Sequence, residues 1–314
     1  MRLFGPRESV HQGHSHQDHA LRQNADQRLL RVALLLILAF MVVEVVASII
    51  AHSLALLADA GHMLTDAGAL GASLWAARLA ARPAQGQWTF GYVRAEILSA
   101  AGNGITLLVV AAVVAAESIS HLIHPTNVNA GVVVTIASLG AVVNVAAVWV
   151  LAKANRSSLN VEGSFRHILT DLFAFVATVI AGVVILATGF ERADAVASLI
   201  VVCLMTQASW GLLRASGHVL LEAAPENVNL ADVRTHLLAV DHVRDVHDLH
   251  AWTVTSNLPI LSAHVVIDDA CFTDGCVPRI LDQLQTCLSG HFDVEHSTFQ
   301  VEPVRHLDHE AGTH

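Results

Sequence analysis

A chain of 314 residues with 54% hydrophobic and only 14% charged side chains carries more apolar surface than one soluble globular fold needs. Its formal net charge of -10 comes from acidic residues gathered in the last quarter, which excludes nucleic acid as a partner. Cys203, Cys271, Cys276 and Cys287 follow no disulfide-framework spacing and ask for no oxidising compartment.

Residues 1–28 are polar and rich in His and Gln, the composition of a disordered cytoplasmic tail. Within this tail His11, His14, His16 and His19 read as a weak metal-capture tract. The first apolar run starts near residue 29 and is too long for a cleavable signal, so it is expected to stay as a transmembrane helix. Six stretches, about 29–51, 53–77, 95–119, 128–152, 165–187 and 194–213, reach the roughly 20 residues a helix needs to cross the hydrocarbon core. Six is even, so both termini share one side. Arg22, Arg28 and Arg31 at the first span, Arg78, Arg82 and Arg94 in the second connection, and Lys153, Arg156 and Arg166 in the fourth make that side cytoplasmic, because the other connections carry only Arg192.

A transport domain over 29–220 is followed by a change to ordinary soluble composition over 221–305, with a short disordered tail at 306–314. NLADVRTHLLAV has helical spacing, VRDVHDLHAWTV and LPILSAHVVI read as strands, VPRILDQLQTCL is helical, and FDVEHSTFQVE is a last strand. The order αββαβ predicts a small two-layer α+β domain of ferredoxin-like or metallochaperone-like type.

The chemistry concentrates in two spans. In the second, His62 and Asp66 are four residues apart and share one helix face; in the fifth, His167 and Asp171 repeat the arrangement. An Asp at the bilayer centre costs about 2.5–3.5 kcal/mol on insertion scales, so intramembrane ionisable groups mark functional sites. Facing one another, the two pairs supply two imidazole nitrogens and two carboxylates, a tetrahedral set for Zn2+ whose charges neutralise the dication. His and Asp shed protons to bind metal, so protons and metal compete for one site. Glu44, Glu117, Asn103 and Asn144 read as cavity-lining or interhelical hydrogen-bonding groups.

SLALLADAGHMLTDAGAL, TFGYVRAEILSA, SFRHILTDLFAF and ADAVASLIVV together resemble the cation diffusion facilitator family of zinc exporters, across nearly the whole chain. The resemblance implies that His62, Asp66, His167 and Asp171 form the transport site, with His62 favouring the zinc-type branch. It further implies proton-driven export of Zn2+ and a homodimer; whether Cd2+ or Co2+ is also carried stays open at the level of sequence. It implies a regulatory zinc site in the cytoplasmic domain, at His247, His264 and Glu302, with His250 and His296 as neighbouring substitutes. In the second connection Gln85, Trp88 and Tyr92 stand where some relatives carry ligands, so no metal is expected there. Cys271 and Cys276, spaced CxxxxC, read as ordinary thiols.

Zn2+ is thus substrate and regulatory ligand, and no organic cofactor is called for. The expected setting is the lipid bilayer of a bacterial inner (plasma) membrane. A membrane-embedded zinc sensor would not need a midplane site. An intramembrane zinc hydrolase would need an open coordination position and, in its commonest form, an HExxH motif, which is absent. The chain is therefore expected not to be an enzyme.

Overall fold

The structure is a computed structural model that describes residues 12–51, 54–124, 130–256, 258–292, 294 and 296–309; the side chains of 12–25, 44, 47–51, 54–62, 65 and 307–309 lie outside the description. The chain divides into two compact units, Met1–Arg214 and Ala215–His314.

Among the described residues the first unit contains six helices: α1 (Gln12–Ala51), α2 (Leu54–Ala80), α3 (Ala95–Ile123), α4 (Ala130–Leu151), α5 (Leu159–Thr188) and α6, which starts at Ala193 and runs to Leu220. Among the described residues, α3, α4, α5 and α6 are each long and apolar enough to cross a membrane. Helix α1 begins at Gln12, so helical backbone covers much of the stretch read above as a disordered tail. Gln, Ala, Leu and Arg between 20 and 28 are good helix formers, and a helix already nucleated in the span propagates through them. His11 lies outside the described residues, as do the side chains of His14, His16 and His19.

Helical periodicity explains the packing. Leu30, Ala33, Ile37 and Phe40 on α1, and Met63, Ala67, Leu70 and Leu74 on α2, recur at three- and four-residue steps and form one buried cluster with Ala147, Leu151, Val161 and Ile168. Small residues let backbones approach: a Cβ added to Gly140 on α4 would lie 2.4 Å from the Phe175 ring of α5, and one on Gly182 of α5 would lie 2.5 Å from Val134 of α4. Helix α6 is tied to α3 where Ser209 donates to the Gly104 carbonyl at 2.6 Å. Leu35, Val42, Leu108, Val142, Ile180 and Ile200 point outward and exposed, which in a bilayer is contact with lipid rather than with water.

Asn103 makes an interhelical bond, its Nδ2 donating to Ser73 Oγ at 3.1 Å. Asn144 instead donates to Gly140 of its own helix at 3.1 Å.

The second unit follows the predicted order with two short additions. It contains α7 (Leu230–Leu238), β1 (Val243–Thr253), β2 (Pro259–Ile267), a short α8 (Cys271–Asp274), α9 (Val277–His291) and β3 (His296–Pro303), then a 3-10 turn, Val304–His309. The sheet order is β1-β2-β3, antiparallel between the first pair and parallel between the second, so α8 and α9 form the crossover. Helix α7 is capped by Asn229, whose Oδ1 accepts from the Ala231 N–H at 3.0 Å. Helix α9 carries Pro278 in its first turn and buries Ile280, Leu284 and Leu288 on one face. These join Val233, Leu237, Leu261, Val265 and Ile267 in the domain core.

Cys271 and Cys276 are paired as a disulfide across α8, where the sequence reading had separate thiols. The turn at Gly275, in the left-handed region at φ 73°, brings them together, and sequence spacing alone carries no such information.

Candidate metal centre

Helices α2 and α5 pack together and bring Asp66 to His167, with Nε2 of the imidazole 3.0 Å from Asp66 Oδ1. The same nitrogen is 3.8 Å from Asp171 Oδ2, one turn further along α5. Tetrahedral Zn2+ with bonds near 2.0–2.1 Å separates its ligand atoms by about 3.3 Å, a separation these two distances bracket. All three residues are buried, at 3%, 3% and 9% exposure, so two carboxylates and one imidazole stand together with little screening by bulk water. Such a cluster in a membrane is costly unless a cation neutralises it. Among the described residues nothing bonds the buried Nδ1 of His167, and the contacts described for the ring run through Nε2, the nitrogen that faces the carboxylates. His62 is on α2, one turn before Asp66, and its side chain lies outside the described residues.

A polar stripe that the sequence reading left aside extends from this group. Asn160, Ser164, His167 and Asp171 follow one another on α5 at steps of four, three and four residues, which is one helix face. Asn160 Nδ2 donates to the Ser73 carbonyl at 2.8 Å, and Ser164 Oγ lies 2.9 Å from Ser73 Oγ. The 4-3-4 spacing was visible in the sequence; the partner Ser73, on another helix, was not.

In the second unit, β1 and β2 place His247 directly opposite His264, and the rings meet edge to face at 5.2 Å. Glu302 comes from β3. Its Oε1 is 2.9 Å from His264 Nδ1, and its Oε2 is 3.6 Å from His247 Nε2. Gln300, which sequence reasoning missed, donates to Glu302 Oε1 at 2.8 Å and orients the carboxylate. The three ligand atoms lie within 4.8 Å of one another.

The structure does not bring His250 or His296 into this group. An irregularity in β1 between His247 and His250 changes which side chains face the cluster, and His250 Nε2 bonds Asp248 at 3.0 Å instead. His296 pairs with Ile260, four residues along β2 from His264, which is about 13 Å away at about 3.3 Å per residue.

Elsewhere in this unit, a cavity of about 620 Å3 is lined by His242, Arg244, Asp268, Cys271, Cys276 and Arg279. Arg244 bonds Asp268 through both Nε and Nη2, and this pairing, with His242 adding to it, holds the Asp268 carboxyl below its ordinary range. Asp268 is thus engaged by a cationic side chain.

Comparison with known proteins agrees with both units. Residues 30–221 match the model of the cation efflux transmembrane domain, and residues 225–304 match that of the cation efflux protein cytoplasmic domain. The chain belongs to the cation efflux family, the cation diffusion facilitators. It is 37% identical over 290 residues to the cation efflux system protein CzcD of Alcaligenes sp. (strain CT14), covering 92% of this chain and 90% of that one. It is 35% identical over 309 residues to the zinc transporter ZitB of Escherichia coli (strain K12), covering 96% and 97%. It is 33% identical over 296 residues to a cadmium, cobalt and zinc/H(+)-K(+) antiporter of Bacillus subtilis (strain 168), covering 94% and 93%. A solved structure, the metal-bound C-terminal domain of the CzcD transporter from Cuprividus metallidurans, aligns at 40% identity over 24% of this chain and 99% of that one, with a TM-score of 0.21.

Proposed function

We propose that this chain is a proton-coupled antiporter that carries Zn2+ out of the cytoplasm, with His62, Asp66, His167 and Asp171 as the carrier site. The observation that carries this reading is the convergence of Asp66, His167 and Asp171 from two membrane helices onto one buried point. As a member of the cation efflux family, the chain moves cations and is not an enzyme.

Nitrogen ligands favour Zn2+ over Mn2+ or Mg2+, which prefer oxygen. Cd2+ and Co2+ are further cargo to test, since the Bacillus subtilis relative is named for them as well as for zinc, H+ and K+. Binding of the dication requires deprotonated imidazole and carboxylates, so a proton arriving from the opposite side displaces the metal, and one site serves both ions in turn.

In this reading α1 and α2 complete a set of six spans over about 29–220, ahead of a cytoplasmic domain over about 221–305. The bilayer is that of a bacterial plasma membrane, in keeping with the bacterial relatives. Both termini are cytoplasmic. Arg78 and Arg82 at the end of α2, and Lys153 and Arg156 beyond α4, favour that side. Trp75, Trp149 and Trp210 are exposed in the last turns of α2 and α4 and in the second half of α6, where an interfacial aromatic belt would sit, and Lys153 Nζ lies 3.1 Å above the Trp149 ring. In the cytoplasmic domain His247, His264 and Glu302 hold a regulatory Zn2+ that stabilises a homodimer.

The test is transport in vesicles loaded with a zinc-sensitive dye. The parent should move Zn2+ when a pH gradient is applied and stop when an ionophore collapses it. Asp171→Ala should abolish transport; movement of Zn2+ by that variant at the parent rate would overturn the assignment.

A further inference from the structure

Four buried polar residues on α2, α3 and α5 meet to one side of the carrier group. Ser73 is the hub. Its Oγ accepts from Asn103 Nδ2 at 3.1 Å and lies 2.9 Å from Ser164 Oγ, while its carbonyl accepts from Asn160 Nδ2 at 2.8 Å. Ser164 Oγ is also 3.1 Å from the Asn160 carbonyl. None of the four is more than 4% exposed.

Their depth follows from helix geometry. On α5, Ser164 and Asn160 lie one and two turns before His167, toward the helix start at Leu159; on α2, Ser73 lies two turns beyond Asp66, toward the end at Ala80. Asn103 is in the first half of α3. All three helix ends belong to the side with Arg78, Arg82, Arg94 and Arg156, the cytoplasmic side. On the other side of Asp171 the packing is looser. A cavity of about 80 Å3 there is lined by Val110, Asp171, Thr178, Ser198 and Met205 from α3, α5 and α6. That is room for two or three waters at about 30 Å3 each.

We propose that Ser73, Asn103, Asn160 and Ser164 are the cytoplasmic gate of the transport path, a hydrogen-bonded clasp that must part before a metal ion can pass from the cytoplasm to Asp66, His167 and Asp171. In this conformation the clasp is shut, and the cavity beside Asp171 lies on the other side of the carrier group. The inference rests on the carrier site and orientation proposed above.

The chemistry suits a gate better than an apolar plug would. Neutral interhelical hydrogen bonds in membranes are individually weak, so three of them hold the helices without locking them. Among the described residues Asn160 Oδ1 is buried without a hydrogen-bond partner, an acceptor that entering water or a hydrated ion would satisfy. When the helices part, the exposed hydroxyl and amide oxygens can replace part of the hydration shell of the arriving cation.

The experiment uses the full chain with Cys203, Cys271, Cys276 and Cys287 replaced by Ser, and with Ser73→Cys and Ser164→Cys introduced as a pair. Oxidation should cross-link α2 to α5 and lower Zn2+ transport in proteoliposomes at least tenfold, and a reducing thiol should restore it. Failure of the pair to cross-link, or undiminished transport once it has, overturns the clasp. A second measurement needs no transport. Ser164→Cys alone should react slowly with a membrane-impermeant maleimide supplied from the cytoplasmic side, and adding Ser73→Ala should speed that reaction at least threefold. Equal rates overturn the clasp even where the parent carries zinc and Asp171→Ala does not; a parent that carries no zinc overturns the carrier reading instead.

Discussion

His167 and Asp66 are 101 residues apart in the chain and 3.0 Å apart in space, with both side chains almost fully buried. This pairing across two helices turns two local motifs into one prospective metal site. Breaking a buried charge pair costs about 3–5 kcal/mol, which is about two to three and a half decades of affinity at about 1.4 kcal/mol per decade. Asp66→Ala should therefore weaken Zn2+ binding by about 100-fold or more, measured by isothermal titration on the purified protein in detergent.

Replacing an imidazole by a carboxylate should alter preference more than strength. His62→Asp exchanges a nitrogen ligand for oxygen and should raise Mn2+ transport relative to Zn2+, since Mn2+ favours oxygen donors. Everted vesicles given each ion in turn would measure the ratio, and an unchanged ratio would place His62 outside the coordination sphere.

The cytoplasmic cluster should couple zinc to stability. A ligand at 100 times its Kd stabilises the folded state by about 2.7 kcal/mol. His264→Ala and Glu302→Gln should each remove most of the Zn2+-dependent rise in the melting of the cytoplasmic domain, followed by hydrogen exchange at β1 and β2 of the full chain. His296→Ala should leave that rise intact, because β3 carries it to the far end of the sheet.

At the α4–α5 contact, Gly140 faces the Phe175 ring with no room for a Cβ. Overpacking of this kind costs about 1–3 kcal/mol. Gly140→Val should lower the thermal stability of the membrane unit in detergent, whereas Gly102→Ala, where an added Cβ meets nothing within 4 Å, should not.

Asp268 titrates below its ordinary range because Arg244 stabilises the carboxylate in the folded state. A depressed folded value contributes stability above the unfolded value of 3.8, and that contribution is lost as pH falls through the folded value. Arg244→Ala should accordingly lower the stability of the cytoplasmic domain at neutral pH, and the difference from the parent should close as pH falls through the folded value, measured by chemical unfolding across the acid range.

Much of this was legible beforehand. The HxxxD pairs on α2 and α5, the apolar lengths of the helices and the αββαβ order all depend on periods of 3.6 and 2 residues, which backbone hydrogen bonding imposes on any chain. The helical start at Gln12 was not legible, because a polar His- and Gln-rich stretch reads alike whether coiled or carried along by a neighbouring helix.

By itself, then, the sequence determined which residues share a helix face or a strand face: His167 with Asp171 and Ser164, and Gln300 with Glu302. Tertiary structure decided which faces meet. That Asp66 reaches His167, that Ser73 joins Asn103, Asn160 and Ser164, and that His264 reaches Glu302 while His250 turns to Asp248 depends on register between separate elements. Such register is set by close contacts such as Gly140 with Phe175 and by the irregularity in β1, whose effects sum over many distant neighbours and leave no local period to read.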